Sequence, residues 1–87
     1  MKPKVVWAAE VNLNGLCNRK PVRCTYNEEL LSWWDKTGNL EVTSLGMVQR
    51  SGYVEFASKS RKEVEIWIEG ALAILWVLAN FARLPED

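Results

Sequence analysis

Residues 60–84 read SRKEVEIWIEGALAILWVLANFARL. Ser60 and Glu63 have the spacing of a capping box, in which the hydroxyl takes the Glu63 N–H and the carboxylate reaches back to the Ser60 N–H. The pattern predicts a helix over Val64 to Leu84, stopped by Pro85. At 100° per residue, Val64, Trp67, Ile68, Ala71, Leu72, Leu75, Leu78, Ala79 and Ala82 form one apolar stripe. Ile66, Gly70, Ala73, Ile74, Val77, Phe81 and Leu84 form a second on the far side. Between them runs a polar seam of Glu65, Glu69, Asn80 and Arg83. A helix apolar on both flanks needs cover on both. An 87-residue chain has little material for that. The expectation is that a second subunit covers the flank of Ile66, Gly70, Ala73, Ile74, Val77 and Phe81.

Upstream, Asn14-Gly15 is a type I′ turn signal. It predicts a hairpin of Lys4–Leu13 and Leu16–Cys24, with Val5, Trp7, Ala9, Val11 and Leu13 on one face and Glu10 opposite Arg19. Pro21 places the second strand at an edge or breaks it. Thr25-Tyr26-Asn27-Glu28 reads as another capping box, and a short helix over Tyr26 to Lys36 follows, ended by Gly38. The Ser32-Trp33-Trp34 stretch also suits an extended chain. Leu40–Val48 and Tyr53–Ser58 form a second hairpin around residues 49–52, with Leu45, Met47, Val54 and Phe56 on one face. The expected fold is a single α+β domain over 1–87, a two-layer sandwich. It has a four-stranded antiparallel sheet of two hairpins, one short helix and one long C-terminal helix, in the order ββαββα.

Composition narrows function by exclusion. Eleven basic residues balance eleven acidic ones, which argues against a dedicated nucleic-acid binder. Charge runs in blocks: residues 1–26 sum to +4, 27–47 to −3, 48–62 to +3 and 63–87 to −4, counting Lys, Arg, Asp and Glu. A solvated surface explains that pattern, and so do contacts between unlike blocks of two subunits. The opening M-K-P-K-V-V-W-A-A-E lacks the apolar run of a secretory leader, and two cysteines suit a reducing compartment, so a cytoplasmic location is expected. Glu69 and Asn80 interrupt the long helix, which argues against a membrane span.

There is no histidine, which removes the commonest general base and metal ligand. Two cysteines cannot complete a structural zinc site. Cys17 and Cys24, about 23 Å apart on an extended strand, are expected to be free thiols, one of them in the core. Glu65 and Glu69, one helical turn apart with no third ligand, read as a solvated seam. The chain offers no catalytic residue, metal site or cofactor motif, and an enzyme is disfavoured. Basic residues gather as Arg19, Lys20 and Arg23, and as Lys59, Arg61 and Lys62, with Arg50 at the tip of the second hairpin. Beside aromatic rings they form a candidate anion or nucleic-acid surface. Adjacent Trp33 and Trp34 point about 100° apart on a helix, which makes one of them a candidate anchor for a protein partner.

No motif ties the chain to a named family. The gross pattern suits small proteins carried by phages and mobile elements, though no residue carries that likeness. The expected function is a small non-enzymatic, self-associating binding or regulatory module, a homodimer or higher homo-oligomer. The alternative is a nucleic-acid or nucleotide binder working through the basic residues.

Overall fold

Val5-Val6-Trp7-Ala8-Ala9 is a continuous apolar run where a half-buried strand would alternate. The computed structural model, which describes residues 2–12 and 20–82 and side chains through Ala71, shows why. The run lies in β1 (Val5–Asn12), an inner strand covered on both faces. Val6 and Ala8 are fully buried in one cluster with Cys24, Trp33, Val42 and Ala57. Ala9, with Trp7 beside it, packs under the helix against Val64 and Ile68.

Among the described residues six strands and one helix follow one another: β1, β2 (Val22–Asn27), β3 (Ser32–Asp35), β4 (Glu41–Val42), β5 (Gly46–Arg50), β6 (Tyr53–Ser58) and α1 (Arg61–Ala82). All pairings are antiparallel, in the order β4-β3-β2-β1-β6-β5. The expected ββαββα sandwich with a four-stranded sheet and two helices is therefore wrong. The architecture is a six-stranded sheet, curled into a half-barrel, with one helix.

The curl follows from chain length. β4 and β5 sit at opposite edges of the sheet, yet only Thr43, Ser44 and Leu45 join them. Four Cα steps reach at most about 14 Å. A flat six-stranded sheet would separate its edges by five gaps of about 4.8 Å, or about 24 Å. The edges must bend toward each other, and Arg50 on β5 donates to Thr43 Oγ1 at 3.0 Å across the gap.

The expected helix over Tyr26–Lys36 is the main error. Its start signal is real but displaced: Asn27 Oδ1 accepts the N–H groups of Glu29 and Leu30 at 2.9 and 3.0 Å, and the Leu31 N–H reaches the Asn27 carbonyl at 2.8 Å. The turn ends at Leu31, which adopts a left-handed φ of 58°. The chain then extends, and Ser32–Asp35 pairs with β2 so that Trp33 lies opposite Tyr26. Aromatic residues fit that pleated, buried surface.

Two hairpin details also shift. β1 pairs β2 with Val6 opposite Cys24 and Ala8 opposite Val22, one residue off the register that set Glu10 against Arg19. A one-residue slip exchanges the two faces of a strand, so Cys24 points inward. Residues Leu13–Arg19, with the Asn14-Gly15 turn and Cys17, lie outside the described part. In the second hairpin the connection is Ser51-Gly52, with φ of 86° at Gly52, shorter than the four residues expected. Met47 and Phe56 are cross-strand partners, as are Gln49 and Val54, and by alternation Met47, Val54 and Phe56 share a face as expected.

The helix forms where the sequence placed it. The Glu63 N–H reaches Ser60 Oγ at 3.2 Å. The reciprocal bond is routed through Ser58, whose Oγ accepts the Ser60 N–H at 3.1 Å and donates to Glu63 Oε2 at 2.9 Å. The first apolar stripe seats α1 on β1 and β6: Val64 and Ile68 are buried, and Trp67 stacks on Phe56 at 5.4 Å between ring centroids. Among the described residues no helix is long and apolar enough to cross a membrane.

Candidate functional site

The outer flank of α1 is uncovered where it is described. Ile66 is 59% exposed, and Gly70 is exposed with nothing within 4 Å of the place a Cβ would occupy. The side chains of Ala73, Ile74, Val77 and Phe81 lie outside the described part. The flank is thus bare at its first two positions, while Val64 and Ile68 of the opposite stripe are buried on the sheet.

The fold brings one member of each basic group toward Trp7 on the helix-bearing face. Arg23 on β2 is the cross-strand partner of Trp7. Arg61, at the first turn of α1, holds its guanidinium 5.3 Å from the Trp7 ring centroid and pairs with Glu65 at 3.3 Å. A half-buried tryptophan therefore carries one arginine over its ring and has a second as its cross-strand neighbour, contributed by distant segments. Lys20, Lys59 and Lys62 are exposed. Arg50 lies apart, on the far edge strand, engaged with Thr43. Arg19 is outside the described residues.

Trp33 and Trp34 alternate across β3. Trp33 is 3% exposed, meets Tyr26 edge-on at 5.1 Å and donates its Nε1–H to the Pro3 carbonyl at 2.8 Å. Trp34 is half-buried and donates to Ser32 Oγ at 2.9 Å, which in turn donates to Glu41 Oε2 at 2.8 Å. Cys24 is the free thiol of the described part and sits in the core, where burial first, then Asp35 and Glu55, push its pKa up to about 11. At neutral pH it is a packed thiol with little thiolate character.

A feature not expected from the sequence lies inside the curl. The concave face is apolar at one end, with Val6, Ala8, Cys24 and Ala57. At the other end it opens into a polar hollow of about 310 Å³ between the sheet edges. Its walls include Glu10 on β1, Arg50 on β5, Tyr53 and Glu55 on β6, and Asn39 and Glu41 from the β4 edge. Glu10 and Glu55 are cross-strand partners. Two carboxylates at that spacing repel. Glu55 is only 2% exposed, and its Oε1 has no hydrogen-bond partner among the described residues. Burial chiefly raises its pKa. Arg50 opposes that, while Glu10 and Glu41 add to it. Among the described residues no three His, Cys, Asp or Glu side chains are grouped to hold a metal ion.

No family model, curated protein or solved structure matches this chain.

Proposed function

We propose that the chain is a small non-enzymatic binding or regulatory module that pairs with a second copy of itself through the outer flank of α1. The carrying observation is the bare flank. Ile66 stands 59% exposed and Gly70 has open space above it, while Val64 and Ile68 on the opposite stripe are already buried. In the sequence the apolar run continues through Ala73, Ile74, Val77 and Phe81. Gly70 and Ala73 are small enough for close approach of two helix backbones.

A second copy fits this flank for electrostatic reasons. The chain is neutral, so two copies meet without net repulsion. Arg61 and Lys62 lead the helix, and the stretch 63–87 that follows sums to −4, counting Lys, Arg, Asp and Glu. An antiparallel two-fold contact sets unlike ends together and opposes the helix dipoles. Light scattering after size exclusion at tens of micromolar is expected to give about 20 kDa, twice the 10.0 kDa chain. Ile66→Glu and Ala73→Glu return the mass to one chain, and Glu65→Gln does not. A wild-type monomer at that concentration overturns the reading.

The arrangement at Trp7 favours a second reading, binding of nucleic acid or a nucleotide. An aromatic ring under Arg61 and cross-strand from Arg23 offers stacking beside cations, with Lys20, Lys59 and Lys62 as exposed charge. Such binding weakens steeply with salt. A fluorescence titration of single-stranded oligonucleotide with no salt-dependent shift ends this reading.

A further inference from the structure

We propose that the hollow between the sheet edges is a binding site for a small molecule carrying an ammonium group, with Glu55 as its seat. Glu55 occupies a position where a carboxylate is costly. It is 2% exposed, lies opposite Glu10, and leaves Oε1 without a partner among the described residues. A buried acceptor left unsatisfied opposes folding. The folded chain tolerates this where a cavity of about 310 Å³ adjoins the group. A residue that opposes folding while facing a cavity is the pattern of a site built for a ligand.

The charges around the hollow select the ligand. Glu10 contributes from β1, Glu41 from the β4 edge and Glu55 from β6, against Arg50 from β5. The Arg50 guanidinium already donates to Thr43 Oγ1. Among the described residues the lining carries Glu10, Glu41 and Glu55 against Arg50, the Glu41 carboxylate already accepting from Ser32 Oγ, so the balance of charge favours a positive guest over an anion. With no grouping of metal-ligating side chains among the described residues, an N–H donor fits better than a metal ion. An ammonium supplies the missing hydrogen bond to Oε1 and neutralises the Glu10–Glu55 repulsion. The volume is at the low end of ligand pockets, which restricts the guest to a few heavy atoms beyond the ammonium.

Binding to the ionised carboxylate has a linked consequence. The groups facing Glu55 are Glu10, Glu41 and Arg50, with Cys24 of β2 within electrostatic reach. Without ligand the Glu55 carboxyl holds its proton above the ordinary carboxylate range. A bound cation favours the charged form and brings the titration back down.

The test uses 1,4-diaminobutane as probe, with butane-1,4-diol as neutral control and succinate as anionic control, by calorimetry near neutral pH at fixed ionic strength. The diamine is expected to bind at least about tenfold more tightly than either control. Glu55→Gln, which keeps the shape, loses at least that factor, and the exposed-seam variant Glu65→Gln does not. In the wild-type chain, saturating diamine moves the carboxyl ¹³C titration of Glu55 to lower pH, a readout independent of any variant. Controls that bind as well as the diamine, full affinity in Glu55→Gln, or a Glu55 titration indifferent to the diamine would each overturn the proposal.

Discussion

Leu31 and Glu55 are the two residues whose local chemistry conflicts with their place in the fold. Leu31 holds φ of 58° and is 67% exposed, so it carries left-handed strain of roughly 1–2 kcal/mol with little burial in return. Asparagine tolerates that conformation. Leu31→Asn is expected to stabilise by about 1 kcal/mol, read in a melting scan as a rise of about 4–8 °C. Glu55 carries a raised pKa, so its contribution to folding is fullest when protonated and is lost as pH rises through the folded-state value. Glu55→Gln should therefore match wild type near about pH 4 and exceed it by about 1 kcal/mol or more near about pH 8, by urea denaturation. A constant offset between those pH values would show that the carboxyl titrates normally. Asp35 has the opposite sign. Thr37 first, then the N–H groups of Leu40, Asn39 and Gly38, hold its pKa down, so it supports the fold above the carboxylate range and loses that support in acid. Neither Leu31 nor Glu55 was legible beforehand. A leucine gives no sign of positive φ, and Glu55, alternating with Val54 and Phe56, reads as the polar side of a half-exposed strand.

At the scale of elements, residues 25–36 show a correct signal with the wrong extent. Asn27 does cap a turn, but one turn is all that forms. A helix through Trp33 and Trp34 would take Trp33 out of contact with Tyr26 and Val42. The pairing of β3 with β2 and β4 overrides the local preference. The capping box at Ser60 was legible because both of its members lie within four residues. The part played by Ser58 was not, since that residue ends a strand. Its hydroxyl joins the Ser60 N–H to Glu63, so Ser58→Ala is expected to destabilise by about 1–2 kcal/mol in denaturant unfolding. A change below about 0.3 kcal/mol would mean the cap works without it.

For the whole molecule, the curl creates both the candidate pocket and the seat of the helix. The short link Thr43-Ser44-Leu45 draws β4 toward β5, the inner face becomes a core at one end and a hollow at the other, and the outer face receives α1. If two copies then join through the bare flank of α1, the melting temperature must rise with protein concentration by mass action, and Ile66→Glu must abolish that dependence. A melting point independent of concentration over about a hundredfold range would contradict the dimer.

The sequence by itself determined the long helix, its cap, the first two turns of its sheet-facing stripe and the Tyr53–Ser58 strand, because each rests on periodicity or contacts within a few residues; the single strand expected over Leu40–Val48 is instead split into β4 and β5, which pair different neighbours. Only the tertiary structure decided that residues 32–35 extend, that β4 and β5 lie at opposite edges, that Arg61 lies over Trp7, the cross-strand partner of Arg23, and that Glu55 is buried against a cavity. Those features depend on which strands pair across tens of residues, and strand pairing is a non-local energy that no window of local pattern contains.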